Sequence, residues 1–177
     1  MASGCVKYLR PPPTREEVER WIRHNWKHKF TGEPKLRYEV KLQNPFAIGM
    51  SNSWNVLDNK RIDIVFEGDD EIWLIETDPT ILQGTVGQLP GYEIWYAILI
   101  GRDEIRKVGN HNTRVMLNKR IAENRDTYRN PDANNSFYLP GIDTNKPIHL
   151  GVFVRESDFM LEEVCLRKGI RVIVIPE

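Results

Sequence analysis

Residues Arg61–Tyr92 constrain the fold of this chain more than any other stretch. They read as two β-strands, RIDIVFE and EIWLIETD, followed by a turn and the start of a helix, PTILQGTVGQLPGY. Side chains two apart in a strand share a face. Ile72, Leu74, Glu76 and Asp78 therefore point one way, and Trp73, Ile75 and Thr77 the other. Glu76 and Asp78 lie side by side at the end of a strand that is otherwise apolar. Asp63 lies between Ile62 and Ile64 in the strand before. A carboxylate among β-branched apolar residues is costly to bury unless a cation or hydrogen bonds compensate it. If the two strands form a hairpin, three carboxylates converge. Such a cluster suits Mg²⁺ or Mn²⁺, which prefer hard oxygen donors.

The 177 residues suit one domain with a proper core. The formal net charge is zero, so no global field draws in nucleic acid, and an anionic partner needs a local basic patch. Cys5 and Cys165 suggest no disulfide framework. Two reduced thiols point to an intracellular, cytoplasmic protein. No secretory apolar segment is read at the start. The longest apolar run, Ile94–Ile100, is too short to cross a bilayer, so no membrane partner is expected.

Taken in order, residues 1–13 read as a tail. Pro11, Pro12 and Pro13 favour an extended polyproline II segment. Residues 14–177 read as a single domain. Thr14 and Glu17 form a capping box, and Val18, Trp21, Ile22 and Trp26 give an apolar helical stripe. His24 and His28 have metal-compatible helical spacing, but their basic neighbours favour a solvated face. A first strand covers Lys35–Leu42. Pro79 is expected to close the third strand. A helix follows over Thr80–Ile100, which Pro90 and Gly91 should kink or split.

Residues 101–147 read as a loop-rich, basic insertion with a helix over 112–128. The pattern then sharpens. His149–Arg155 is a strand, and Ser157 or Asp158 caps a helix whose expected core face is Phe159, Leu161, Val164, Cys165 and Leu166. Gly169 is its C′ residue, and Ile170–Ile175 is an apolar strand expected to be covered on both faces. A strand–helix–strand of this length implies a right-handed parallel crossover. The fold class is therefore α/β, a central mixed sheet flanked by helices.

This order of elements resembles the PD-(D/E)XK nuclease superfamily, which has a restriction-endonuclease-like αβββαβ core. The resemblance is carried by Asp63, a short turn, and Glu76-Thr77-Asp78 at a strand end. Gln88 and Tyr92, four apart, resemble the QxxxY element of the RecB-type branch. The closing segment GVFVRESDFMLEEVCLRKGIRVIVIPE is similar to the tail of small archaeal and viral proteins of this kind. The resemblance implies a divalent-metal-dependent nuclease that hydrolyses phosphodiester bonds, with DNA the favoured partner. It implies Asp63 and Glu76 as ligands of Mg²⁺ or Mn²⁺, joined by the Thr77 carbonyl, with Glu17 or Glu19 helping through water. Gln88 and Tyr92 would position the phosphate or support the site. The resemblance also allows a homodimer, since cutting both strands of a duplex often uses two sites.

One position departs from the pattern. The superfamily's lysine, two residues after the glutamate, is Asp78 here. An aspartate supplies no positive charge. It can take a third metal-ligand position or act as a general base. In some members the lysine has moved to a neighbouring element, and Lys41 and Lys60 are the candidates for that here. The other reading is a degenerate site, in a nucleic-acid-binding or assembly module that does not cut. The lesser alternatives are that Asp63 is a surface residue of an edge strand, and that Glu76 with Asp78 is an ordinary polar strand end before a turn.

Overall fold

Three antiparallel strands followed by two parallel ones form one mixed sheet. A computed structural model describes residues 10–42, 60–81, 83–99, 115, 119 and 145–176. The elements are α1 (Arg15–Asn25), β1 (Lys35–Leu42), β2 (Lys60–Glu67), β3 (Ile72–Thr80), α2 (Gln83–Leu99), β4 (Ile148–Glu156), α3 (Phe159–Arg167) and β5 (Ile170–Val174). The sheet order is β1-β2-β3-β4-β5, antiparallel from β1 to β3 and parallel from β3 to β5. The chain is thus α/β, with helices on both faces of the sheet.

Two apolar layers follow from strand alternation. On one face, Val18, Ile22 and Trp26 of α1 pack against Ile64, Phe66, Trp73, Ile75 and Phe153. On the other, Val86, Leu89, Tyr92 and Tyr96 of α2, with Cys165 of α3, cover Val65, Ile72, Leu74, Val152 and Val154. The steps β3→β4 and β4→β5 run the same way along the sheet, and their crossover helices lie on the same face. The two crossovers therefore share one hand, as the chirality of parallel connections requires.

Local chemistry sets the ends of these elements. The Thr14 hydroxyl accepts from the Glu17 N–H (3.3 Å), and the Glu17 carboxylate accepts from the Thr14 N–H (2.7 Å), the capping box read in the sequence. The proline segment is not free at its inner end. Pro13 is buried, and the Pro11 carbonyl accepts from Arg155 Nε at 3.4 Å. Asp158, not Ser157, caps α3, accepting from the N–H groups of Met160 and Leu161. Gly169 has φ 71°, the left-handed value expected after a helix end. Because α1 stops at Asn25, His24 and His28 do not share a helical face, and both are exposed.

Three expectations are corrected. Pro79 does not end β3, which runs on to Thr80. The β2–β3 ladder stops at Ile64 opposite Ile75, while β3 continues beside β4. Pro79 thus falls where β3 has a partner on one side only, which is where a strand tolerates proline. Pro90 does not split α2, which stays one helical element at the cost of one N–H···O bond. The core face of α3 is far narrower than its apolar content suggests. Cys165 is buried and Leu161 half-buried, whereas Phe159, Met160, Val164 and Leu166 are exposed. Only a stripe three or four apart can face the sheet from so short a helix. The expected helix over 112–128 falls outside the described residues except at Val115 and Lys119, which are helical.

The β2–β3 turn is tight for a specific reason. Gly68 N–H donates to the Glu71 carbonyl (2.8 Å), and Asp69 N–H donates to the Lys29 carbonyl (2.7 Å). A Cβ at Gly68 would lie 2.7 Å from that Lys29 oxygen. Gly68→Ala is expected to cost about 1–3 kcal/mol through displaced backbone, read from urea denaturation. An unchanged midpoint would show that the loop after α1 yields freely.

Candidate carboxylate site

The site lies where β2 and β3 part. β2 is an interior strand, so Asp63 is not an edge residue. Extending the β2–β3 register past Ile64 and Ile75 sets Asp63 opposite Glu76. On the other side of β2, the β1–β2 ladder skips Glu39, opposite Asp63, where φ is 51°. Positive φ is unfavourable for a residue with a side chain like glutamate. Its effect is to turn the strands over. Leu36, Tyr38, Ile64 and Phe66 belong to the α1 layer, but Val40, Leu42 and Ile62 belong to the α2 layer. Asp63 is at this pivot.

The three carboxylates have distinct surroundings. Asp63 Oδ2 accepts from both the N–H and the hydroxyl of Thr77, each at 2.8 Å. Asp78 Oδ2 accepts from the Thr85 hydroxyl at the start of α2, at 2.5 Å. Glu76, between them, has a fully buried Oε1 with no hydrogen-bond partner. Burial pushes the Glu76 carboxyl up to about 8, and the charges of Asp63, Asp78 and Glu39 push in the same direction. An N–H of Asp63 offsets this only in part. Asp78 is also raised, by burial first and then by Asp63, against the pull of Thr85. A buried carboxylate group repelled by its neighbours has a large electrostatic reason to take up a proton or a cation.

Tyr92 closes the site from α2. It is buried, and its hydroxyl donates to Gln88 Oε1 at 2.9 Å. Burial first, and then the charges of Glu76 and Asp63, push its phenol up to about 12. Gln88 and Tyr92 thus act as a unit, one exposed and one buried.

Other candidates are held elsewhere. Glu17 binds Arg155 at 2.5 Å and closes the capping box, and these contacts hold its carboxyl down to about 2. Glu19 binds Arg23 and the Tyr38 hydroxyl, which lower it as well. Neither acid is offered to the site as water-bridging help. Lys41 is exposed, and alternation from Val40 and Leu42 turns it away from the α2 layer that Glu76 and Asp78 face. The side chain of Lys60 lies outside the described residues.

Two residues at the site, Thr85 and Glu39, carry no legible sequence signal. Thr85 had no motif to mark it. Glu39 had a misleading one: Leu36, Tyr38, Val40 and Leu42 alternate as one face, yet the chain divides them between two layers. Glu39 also pairs with Arg15 (2.6 Å) and Arg61 (3.7 Å), the cations tied to this rim.

The donors are all oxygens, which suits Mg²⁺ or Mn²⁺, and the unpartnered Glu76 Oε1 is a donor position without a hydrogen bond. Among the described residues, however, no three acids, histidines or cysteines are arranged closely enough to hold a metal ion. One oxygen each of Asp63 and Asp78 is committed to a threonine. The residues fit a two-carboxylate site in chemistry, with Thr77 and Thr85 occupying donors that a third ligand would need. No family model, curated protein or solved structure matches this chain.

Proposed function

We propose that this chain is a divalent-metal-dependent nuclease on a restriction-endonuclease-like core, hydrolysing DNA phosphodiester bonds with Asp63 and Glu76 holding Mg²⁺ or Mn²⁺. The observation that carries this reading is Glu76: a buried carboxyl pushed up to about 8, with one unpartnered oxygen, flanked by two further acids. A purely structural strand end has no reason to assemble such repulsion. The bound metal would supply an activated water and charge neutralisation for in-line displacement at phosphorus. Asp63 would be oriented by its two bonds from Thr77. Asp78, held by Thr85 and raised by burial, would accept a proton from the attacking water. Gln88, exposed and fixed by Tyr92, would orient the phosphate.

A second reading has its own support. Asp63 and Asp78 are each satisfied by a threonine, and Asp78 replaces the superfamily's lysine. These features favour a nuclease fold that binds nucleic acid or assembles without cutting. Cleavage of labelled single- and double-stranded DNA with Mg²⁺ and Mn²⁺ separates the two. The nuclease reading expects cleavage that falls about 100-fold or more in Glu76→Gln, the scale of losing a group that acts in the transition state. A folded wild type that binds DNA without cutting it, in either metal, overturns that reading and leaves the binding module.

A further inference from the structure

Positive charge gathers on β1, β2 and α1 beside the pivot at Glu39. Lys41 and Arg61 are directly opposite each other in the β1–β2 register, so their side chains share a face. Val40, Leu42 and Ile62 belong to the α2 layer, which turns both cations to the α1 side. Like charges in directly opposed positions destabilise a sheet. Arg15 joins them from the first turn of α1, its guanidinium 5.2 Å from the centre of the Tyr38 ring. A cation at that end of a helix opposes the dipole. Both arginines bond one carboxylate, Glu39, at 2.6 Å from Arg15 and 3.7 Å from Arg61. Glu39 is itself held at φ 51°, which is unfavourable for such a side chain.

Three separate disfavoured choices thus meet at one place, and none of them fills the core. Lys41 is exposed, and the side chains of Arg15, Glu39 and Arg61 are each about half exposed. No acid among the described residues is bonded to Lys41. Two guanidiniums converging on one anionic group is an arrangement that also holds phosphate. The Glu39 carboxylate stands in that position as an internal counter-ion.

We propose that Arg15, Lys41 and Arg61 form a cradle for the phosphate backbone of DNA, with Glu39 the counter-ion that a phosphate displaces. The cradle rests on the nucleic-acid partner common to the two readings above, whether or not the chain cuts. Glu76 and Asp78 face the opposite layer, so the cradle holds a flanking stretch of backbone rather than a reacting phosphate. DNA suits it better than an anionic membrane. Membrane recognition by charge takes clusters of roughly four to eight cations. Here Arg15, Lys41 and Arg61 surround an acid, in a chain of zero net charge.

The test is fluorescence anisotropy of labelled single- and double-stranded DNA with the full chain in EDTA, between about 50 and 200 mM salt. Arg15→Gln, Lys41→Gln and Arg61→Gln should each weaken binding about fivefold or more and lower the salt slope by about one. Glu39→Gln should act the other way and tighten binding about threefold or more, because no carboxylate then competes for the arginines. A purely structural Glu39 gives no such gain. Lys168→Gln, exposed at the end of α3, should leave affinity and slope unchanged. A wild-type chain that binds neither DNA overturns the partner and the cradle together. DNA binding indifferent to the three cations, or weakened as much by Lys168→Gln, overturns the cradle alone and leaves the partner standing. Tighter binding to phosphatidylserine vesicles than to DNA, lost in the same variants, overturns the proposal in favour of a membrane surface. Cleavage with Mg²⁺, measured separately, decides the nuclease reading without deciding this one.

Discussion

Glu76→Gln is expected to raise the melting temperature at pH 8 and to leave it nearly unchanged at pH 5. The Glu76 carboxyl has an ordinary value of 4.5 and is pushed up to about 8 in the folded chain. Between those values the folded state holds a proton that the unfolded state has lost. Stability contributed at low pH is therefore lost as pH rises from 4.5 toward 8. The span corresponds to a loss on the order of 4 kcal/mol, or roughly 10 °C in a chain this long. Glutamine has nothing to ionise, so the part of the slope that Glu76 imposes should vanish in the variant, leaving the smaller same-sign part from the raised Asp78. The acids held low, Glu17 and Glu19 among them, act in the opposite sense and below pH 4.5, outside this window. Calorimetry from pH 5 to pH 8 reads the result directly. Parallel curves for the two proteins would mean that Glu76 is not the repelled group. Mn²⁺ should compete with the proton and lift the wild-type curve at pH 8 but not that of the variant.

The same residue shows how far the sequence can be read. Strand alternation assigned Ile72, Leu74, Glu76 and Asp78 to one face, and the α2 layer covers that face. The register that brings Asp63 opposite Glu76 was available from the short turn alone, because an antiparallel hairpin leaves few alternatives. Capping chemistry located α1 and α3, since side-chain caps are local. Long-range features were not legible. Nothing in Leu36–Leu42 announces that the strand turns over at Glu39, because its alternation is unbroken and glutamate rarely takes positive φ. The engagement of Glu17 by Arg155 spans most of the chain. The exposed side of α3 reads as core from apolar content alone, yet a nine-residue helix buries only a narrow stripe.

These long-range features bear on the chemistry. The pivot at Glu39 and Asp63 turns Val40, Leu42 and Ile62 into the α2 layer, on the face of the sheet that Glu76 and Asp78 share. Burial is the first cause of the upward push on both Glu76 and Asp78. Arg15 and Arg61 are drawn to Glu39 on the rim, leaving no described cation bonded to the inner acids. On the nuclease reading proposed above, positive charge at a scissile phosphate would come from the metal or from residues outside those described.

Trp26→Ala should produce the largest loss of stability of any single truncation in the α1 layer, about 4 kcal/mol. Trp26 is 2% exposed and closes α1, its N–H donating to the Ile22 carbonyl. Its ring lies 4.6 Å from Trp73, 5.3 Å from Trp21 and 5.5 Å from Phe66, centroid to centroid. One side chain thus joins the helix to β2 and β3, the strands that carry Asp63 and Glu76. Alanine would leave a cavity that the flanking rings cannot close without leaving their own contacts. Trp21, half-buried at the margin of the same cluster, should cost less than half as much when truncated. Urea denaturation of the two variants checks the ranking. Equal losses would mean that the layer collapses into the Trp26 cavity. In that case strands β2 and β3 should shift with it, and the pH dependence that Glu76 imposes should weaken in Trp26→Ala but persist in Trp21→Ala.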